Sequence, residues 1–150
     1  MSWLAAELPP SIPAACVERA ASYYAVPTAL LVAVLHQEGG EVGKAYPRSH
    51  GTYYGPSQIS DKWLQRFQQW GYTAEQLQHN ACANVTAGAY VLAYYRLREP
   101  TWENAIARYN VGSLDTPTRM NAGMRYASSV IRRWRDIYNK WKGATDVAAL

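Results

Sequence analysis

Thr28-Ala29-Leu30-Leu31-Val32-Ala33-Val34-Leu35-His36-Gln37-Glu38-Gly39-Gly40 is an apolar run that ends in a carboxylate. Leu30, Leu31, Val34 and Leu35 recur at helical spacing, and Pro27 stands where a helix start tolerates proline. The Gly39-Gly40 pair marks the stop. Continuing the apolar face by four residues from Val34, or by seven from Leu31, lands on Glu38, so a carboxylate occupies a position where the pattern asks for leucine. Desolvation there raises a carboxyl pKa, and the negative end of the helix dipole acts the same way. Both favour the protonated acid that a poor leaving oxygen needs. Taken alone, this helix is better explained by an ordinary carboxylate at a frayed helix end.

Outward from this run the periodic signals are also helical, so a mainly α fold is expected. Ile12 to Ala25 reads as a preceding helix, and Trp63, Leu64, Phe67 and Trp70 as a short amphipathic one ended by Gly71, with a brief turn from Thr73. Asn80 to Arg98 is long and rich in small residues; Ala83, Ala87, Gly88 and Ala89 would let another helix approach closely, so it is expected at the centre. Trp102 to Tyr109 is a further helix, ended by Asn110 and Gly112. Thr118 to Trp141 is the last, with Tyr126, Val130, Trp134, Ile137 and Trp141 as its apolar stripe. Arg125, Arg132, Arg133, Arg135 and Lys140 lie off that stripe and read as a solvated basic face. Only Glu41 to Tyr54, rich in Gly, Tyr and Ser, breaks the helical pattern, as an irregular loop or small hairpin where a groove would open.

The 150 residues show no repeat, low-complexity tract or long linker, and are read as a single domain, 1–150, with its core at about 12–142. Twelve Tyr and six Trp against one Phe supply flat faces with polar edges, suited to sugar stacking or to an amphipathic core. The formal net charge of +4 admits an acidic partner without choosing among nucleic acid, anionic lipid and anionic wall polymer. No nucleic-acid-reading module is recognisable, and no apolar run reaches a membrane span. Met1 to Pro13 lacks the features of a signal peptide. His36, His50, His79 and the cysteines lack metal-ligand spacing, so neither metal nor cofactor is expected. Cys16 and Cys82 form a disulfide if the domain is exported and remain free thiols if it is cytoplasmic.

A second segment, Gly51-Thr52-Tyr53-Tyr54-Gly55-Pro56-Ser57-Gln58-Ile59-Ser60, follows the Glu38 helix closely. A helix ending in Glu, then a loop, then Gly-Leu-Met-Gln-Ile-Asn or a near variant resembles the signature of lytic transglycosylases of the lysozyme-like superfamily. Gly55 to Ser60 is this chain's version. Cys82-Ala83-Asn84-Val85 and the Gly88-Ala89 that follows are similar to the family's central-helix pattern, and Tyr109-Asn110-Val111-Gly112 matches its Tyr-Asn-x-Gly. The cysteine before Asn84 resembles the branch attached to conjugation and type IV secretion machines.

The resemblance implies a lysozyme-like helical bundle around a central helix, with the irregular segment or hairpin at the cleft. It implies cleavage of the MurNAc–GlcNAc linkage of peptidoglycan with a 1,6-anhydro product, Glu38 serving as general acid and then base. Tyr109 would approach Glu38, and Tyr54, Ser57, Gln58 and Asn110 would bind the glycan along the groove. Cys16 would pair with Cys82, as in that branch. Glycan strands would be the partner, secretion or conjugation machinery a further one, and the periplasm or cell wall the location.

Two positions depart from the pattern. Ser57 replaces the usual Met, exchanging an apolar contact for a hydroxyl. Tyr53 stands where hen-type lysozymes, and often the conjugation branch, carry an acidic residue, and a hydrolase of that type needs two carboxylates flanking the bond. Glu41 and Asp61 are near in sequence but match no such position. A lysozyme-type hydrolase is therefore the alternative enzyme, and a wall-binding component without turnover the alternative class.

Overall fold

The computed structural model describes residues 2–143. It opens with a short helix that sequence periodicity does not reveal, α1 (Trp3–Glu7), because five residues are too few to show a period. Ser2 caps it by accepting a hydrogen bond from the Ala5 N–H, and Trp3 and Leu4 are buried. The next helix, α2 (Ala14–Tyr24), begins after Pro13 and not at Ile12. It ends on Ala25 in the left-handed region.

The Glu38 helix is α3 (Thr28–Glu38), with Pro27 just before its first residue and Gly39 at its C-cap. Every residue from Ala29 to Leu35 is buried, so α3 is sheathed on all sides. Its apolar positions are therefore not one face. Periodicity alone does not tell which way Glu38 points; the packing of α3 does.

After α3 the chain forms a three-stranded antiparallel sheet of β1 (Ala45–Arg48), β2 (Gly51–Tyr54) and β3 (Ile59–Ser60), in that order. Tyr53 stands opposite Tyr46 and Ser60, and Tyr54 opposite Ala45 and Ile59. Short helical pieces follow, including α4 (Leu64–Phe67), up to Gly71 in the left-handed region. Then come α5 (Ala74–His79) and α6 (Ala81–Arg96), capped by Thr73 and Asn80. Last are α7 (Trp102–Val111) and α8 (Pro117–Trp141), capped by Thr101 and Thr116. Each of these four caps accepts a hydrogen bond from a backbone N–H of the first turn.

The fold is mainly α and lysozyme-like. Its interior has two apolar clusters. One gathers Leu30, Leu31 and Val34 with Val85, Ile106, Val130 and Trp134. The other holds Ile59, Phe67, Leu77, Val91, Tyr95 and Ala105 beneath the sheet and α4. Helix α6 supplies both, through Val85, Ala89 and Leu92 on one side and Ala87, Val91 and Tyr95 on the other. A helix gripped from two sides needs the small residues that this one carries. Burying a leucine here is worth roughly 1.5–3 kcal/mol, and truncating one to alanine costs about 2–5 kcal/mol once the cavity is counted.

Cys16 on α2 and Cys82 on α6 are joined in a disulfide, their Cα atoms 5.2 Å apart. The bridge fixes α2 against the helix that floors the groove. Arg125, Arg132, Arg133, Arg135 and Lys140 are all exposed on α8. Arg133 reaches Gln37, and Lys140 pairs with Glu7. Among the described residues no helix is long and apolar enough to cross a membrane.

Candidate active site

Glu38 is the final residue of α3, and α8 crosses in front of it. From α8 the Tyr126 hydroxyl donates a hydrogen bond to Glu38 Oε2. Burial pushes the Glu38 carboxyl from 4.5 up to about 7, with the Tyr126 bond pulling the other way. A carboxyl so placed is divided between acid and carboxylate near neutral pH. Tyr126 itself is held well above its usual value, first by burial and then by the Glu38 charge, so it remains a donor throughout the working range.

Tyr109, from α7, is the second hydroxyl near Glu38. Burial, and next the Glu38 charge, hold its pKa well above the ordinary phenol value. Its proton goes to the Ser57 carbonyl at 2.6 Å. Helix α7 continues through Val111 before Gly112 caps it. Asn110 therefore projects from the last helical turn instead of ending the helix.

The turn between β2 and β3 holds the remaining pieces. Gln58 adopts a left-handed φ of 53° and donates from Nε2 to the Gly55 carbonyl at 2.9 Å. Gly40, just past the Glu38 helix, lies so close to this turn that a Cβ there would sit 2.0 Å from the Gly55 oxygen and 2.6 Å from Gln58 Nε2. The Glu38 and Gln58 segments are thus wedged together at a residue that must lack a side chain.

Beneath the turn, Asn84 of α6 is fully buried. Its Oδ1 accepts from the Ser57 N–H at 2.8 Å, and its Nδ2 donates to the carbonyls of Tyr54 and Leu77 at 2.7 and 2.8 Å. An amide with both ends satisfied in a dry site holds the loop firmly.

Two adjoining cavities make the groove. The smaller, about 230 Å³, is lined by Glu38, Arg48, His50, Tyr53, Gln58, Tyr109 and Asn110. The larger, about 540 Å³, shares His50, Tyr53, Gln58, Tyr109 and Asn110 and extends along Trp63, Lys62, Arg66, Arg108 and Arg119. Among the described residues Glu38 is the one carboxylate lining either cavity. Asp61 accepts from the Thr52 N–H, and Glu41 pairs with Lys44 on the surface. Among the described residues no three of His, Cys, Asp and Glu come together as a metal-holding group.

Comparison with known proteins matches residues 15–132 to the family described as the transglycosylase SLT domain. The chain belongs to the SLT domain family. Among curated proteins this SLT domain is similar to Protein IpgF of Shigella flexneri, 28% identical over 121 residues that cover 79% of this chain and 78% of the Shigella protein. Protein IpgF of Shigella sonnei is 27% identical over the same shares. No solved structure matches. The matched span contains Glu38, Gln58, Tyr109 and Tyr126.

Within the SLT domain, two residues expected along the groove do not line either cavity. Ser57 is fully buried, and its side chain points to α6, where a Cβ on Gly88 would come within 2.7 Å of Oγ. Its Oγ has no hydrogen-bond partner among the described residues. The backbone of Ser57, not its hydroxyl, is used, taking Tyr109 at its carbonyl and Asn84 at its N–H. Tyr54 packs its ring on the second apolar cluster. Strand alternation sends the neighbouring Tyr53 the other way, into both cavities.

Spacing alone assigns Tyr126 to the apolar stripe of α8 and gives no sign of its bond to Glu38. A tyrosine within a core stripe still needs a partner for its hydroxyl, and that need is the signal that would have singled it out. Arg48, at the end of β1, and His50, in the turn between β1 and β2, carry no spacing signal that points them at the groove; the hairpin brings both to the smaller cavity.

Proposed function

We propose that this SLT domain is a peptidoglycan lytic transglycosylase that cleaves the β-1,4 bond from MurNAc to GlcNAc and leaves 1,6-anhydroMurNAc. The single observation that carries this reading is Glu38, a mostly buried carboxyl raised to about 7 and the sole carboxylate lining the groove among the described residues. As acid, Glu38 gives its proton to the bridging oxygen while the bond from that oxygen to the MurNAc anomeric carbon breaks. The acetamido oxygen of the same sugar stabilises the cation that develops. As carboxylate, Glu38 then takes the proton of the C6 hydroxyl, and the C6 oxygen closes on the anomeric carbon. No water enters. A pKa near the working pH serves both halves, since one residue must be protonated first and ionised afterwards.

Inverting and retaining hydrolases use a second carboxylate on the opposite side of the bond. In this groove Tyr53 lines the cavities, its hydroxyl kept protonated by burial and then by the charges of Asp61 and Glu38. A neutral hydroxyl donates a hydrogen bond but does not activate water at neutral pH. Gln58 and Asn110 supply amides for the sugar hydroxyls and acetamido groups, and Tyr109 and Tyr126 keep the Glu38 surroundings dry and oriented. The Cys16–Cys82 bridge supports a periplasmic or wall-associated location, where disulfides persist. The whole chain is read as one catalytic unit, and service to a secretion or conjugation machine is a further expectation of this reading.

The test is digestion of purified peptidoglycan with mass analysis of the released ends. Anhydro termini, one water lighter than reducing ones, are expected. Reducing termini alone would assign hydrolysis instead, and binding to sacculi without release would assign a non-catalytic role.

A further inference from the structure

The larger cavity has a charge that a neutral glycan does not call for. Its lining holds Lys62, Arg66, Arg108 and Arg119 and no carboxylate among the described residues. Two of these cations are answered from outside the cavity, Arg108 by Glu99 at 3.0 Å and Arg119 by Asp115 at 3.0 Å. Lys62 and Arg66 have no carboxylate partner among the described residues. Arg66 is nonetheless held in place, since it donates to the Tyr90 hydroxyl at 3.3 Å and lies 4.9 Å over the Tyr94 ring and 6.0 Å over the Trp63 ring. Trp63 lines the same cavity, so an aromatic shelf and an oriented guanidinium face one space.

We infer that this arm of the groove binds carboxylates of the peptide stems carried by the glycan, and that Lys62 and Arg66 select stem-bearing strands. The inference rests on the transglycosylase reading of the groove. A polysaccharide whose lactyl groups are amide-linked carries no charge along its sugars, so the anions available to a cationic arm are the carboxylates of its stems. Glu38 does not line this cavity; Tyr53, Gln58, Tyr109 and Asn110 link it to the smaller one. A strand with its scissile bond at Glu38 therefore runs on past the two cations. Guanidinium and ammonium groups bind carboxylates by charge-assisted hydrogen bonds, with Arg able to engage both oxygens at once. A carboxylate could also come from the lactyl group of a strand whose stem has been removed, and a general polyanion would use the same cations.

The experiment uses the full chain carrying Glu38→Gln, so that fragments are bound and not consumed, and measures affinity by calorimetry at low and moderate salt. The probes are a soluble glycan fragment with free stem carboxylates, the same fragment with those carboxylates amidated, and a fragment stripped of stems. The free-stem fragment is expected to bind a few-fold to about tenfold more tightly than the amidated one, a preference that shrinks with salt. The stripped fragment is expected to bind no better than the amidated one. Adding Lys62→Gln and Arg66→Gln should abolish the preference, with an unchanged circular dichroism spectrum showing that the fold is kept.

Equal binding of free-stem and amidated fragments would overturn the inference while leaving the transglycosylase reading intact. Binding of the stripped fragment as tight as that of the free-stem fragment, or tighter, would assign the cations to the lactyl carboxylate and overturn the stem assignment. Displacement by a DNA oligonucleotide as effective as that by the free-stem fragment would make this a general polyanion surface and overturn it too. Failure of every fragment to bind would overturn both readings together.

Discussion

Replacing Glu38 with glutamine is expected to abolish activity and to stabilise the protein relative to the parent by an amount that grows as pH rises. In the folded protein burial raises the Glu38 carboxyl from 4.5 to about 7. In the unfolded chain it returns to the ordinary carboxylate range. At pH 4 the side chain is mainly protonated in both states and costs the fold little. Between about pH 4.5 and 7 the unfolded chain has released the proton and the folded one still holds it, so stability falls with each step of pH. Above 7 the folded carboxyl ionises as well and the loss levels off.

The full difference, converted at 1.36 kcal/mol per pH unit, is roughly 3 kcal/mol. Glutamine has nearly the same shape, can still accept from Tyr126, and does not titrate. The stability of the variant relative to the parent should therefore rise by roughly 3 kcal/mol between pH 4 and pH 8, a relative gain of roughly 6–12 °C in Tm for a chain of this size. Thermal or urea unfolding of both proteins across that range, with the disulfide intact, measures it. Every other titrating group is common to the pair and cancels. A difference that stays constant with pH, or a parent that gains on the variant as pH rises, would refute the argument that Glu38 is buried and raised.

Three further outcomes test the surrounding groups. Tyr126→Phe removes the hydrogen bond that favours the ionised carboxylate, so Glu38 should titrate higher still, and the alkaline limb of the pH–rate profile should move up by about one unit while the rate at the optimum falls. An unmoved limb would show that Tyr126 does not act on Glu38. Ser57→Ala deletes a buried hydroxyl without a partner, and urea unfolding should show a protein as stable as the parent or up to about 1 kcal/mol more stable, with turnover retained; a large loss of turnover would return that hydroxyl to the substrate. Reducing the Cys16–Cys82 bridge, which closes a sequence separation of 66, should cost about 2–4 kcal/mol in the same unfolding measurement, and an unchanged midpoint would show that the bridge constrains little.

The mainly α fold, the glycine stops after Glu38 and Trp70, and the motifs that bring Glu38, Gln58 and Tyr109 to attention were legible in the amino-acid sequence. These follow from local chemistry: helical spacing of apolar residues, and glycines such as Gly39 and Gly71 that take left-handed backbone where a helix stops. The family to which the chain belongs was legible in the same short motifs. The five-residue helix at Trp3–Glu7 was not, because its place is set by burying Trp3 and Leu4 against the rest of the fold.

Tertiary structure decided the directions in which side chains point. Glu38 follows a helix apolar on every side, so only the crossing of α8 and the hydroxyl of Tyr126 fix its surroundings. Ser57 and Tyr54 turn inward while Tyr53 turns to the groove, a choice made by strand register and by the grip of Asn84 on the turn. Tyr126 was visible as a stripe residue, but its partner lies 88 positions away in sequence. Sequence pattern constrains what a residue does to its own helix or strand. The pKa of a carboxyl depends on which distant groups exclude water from it and donate to it, and those are brought together only by the packed fold.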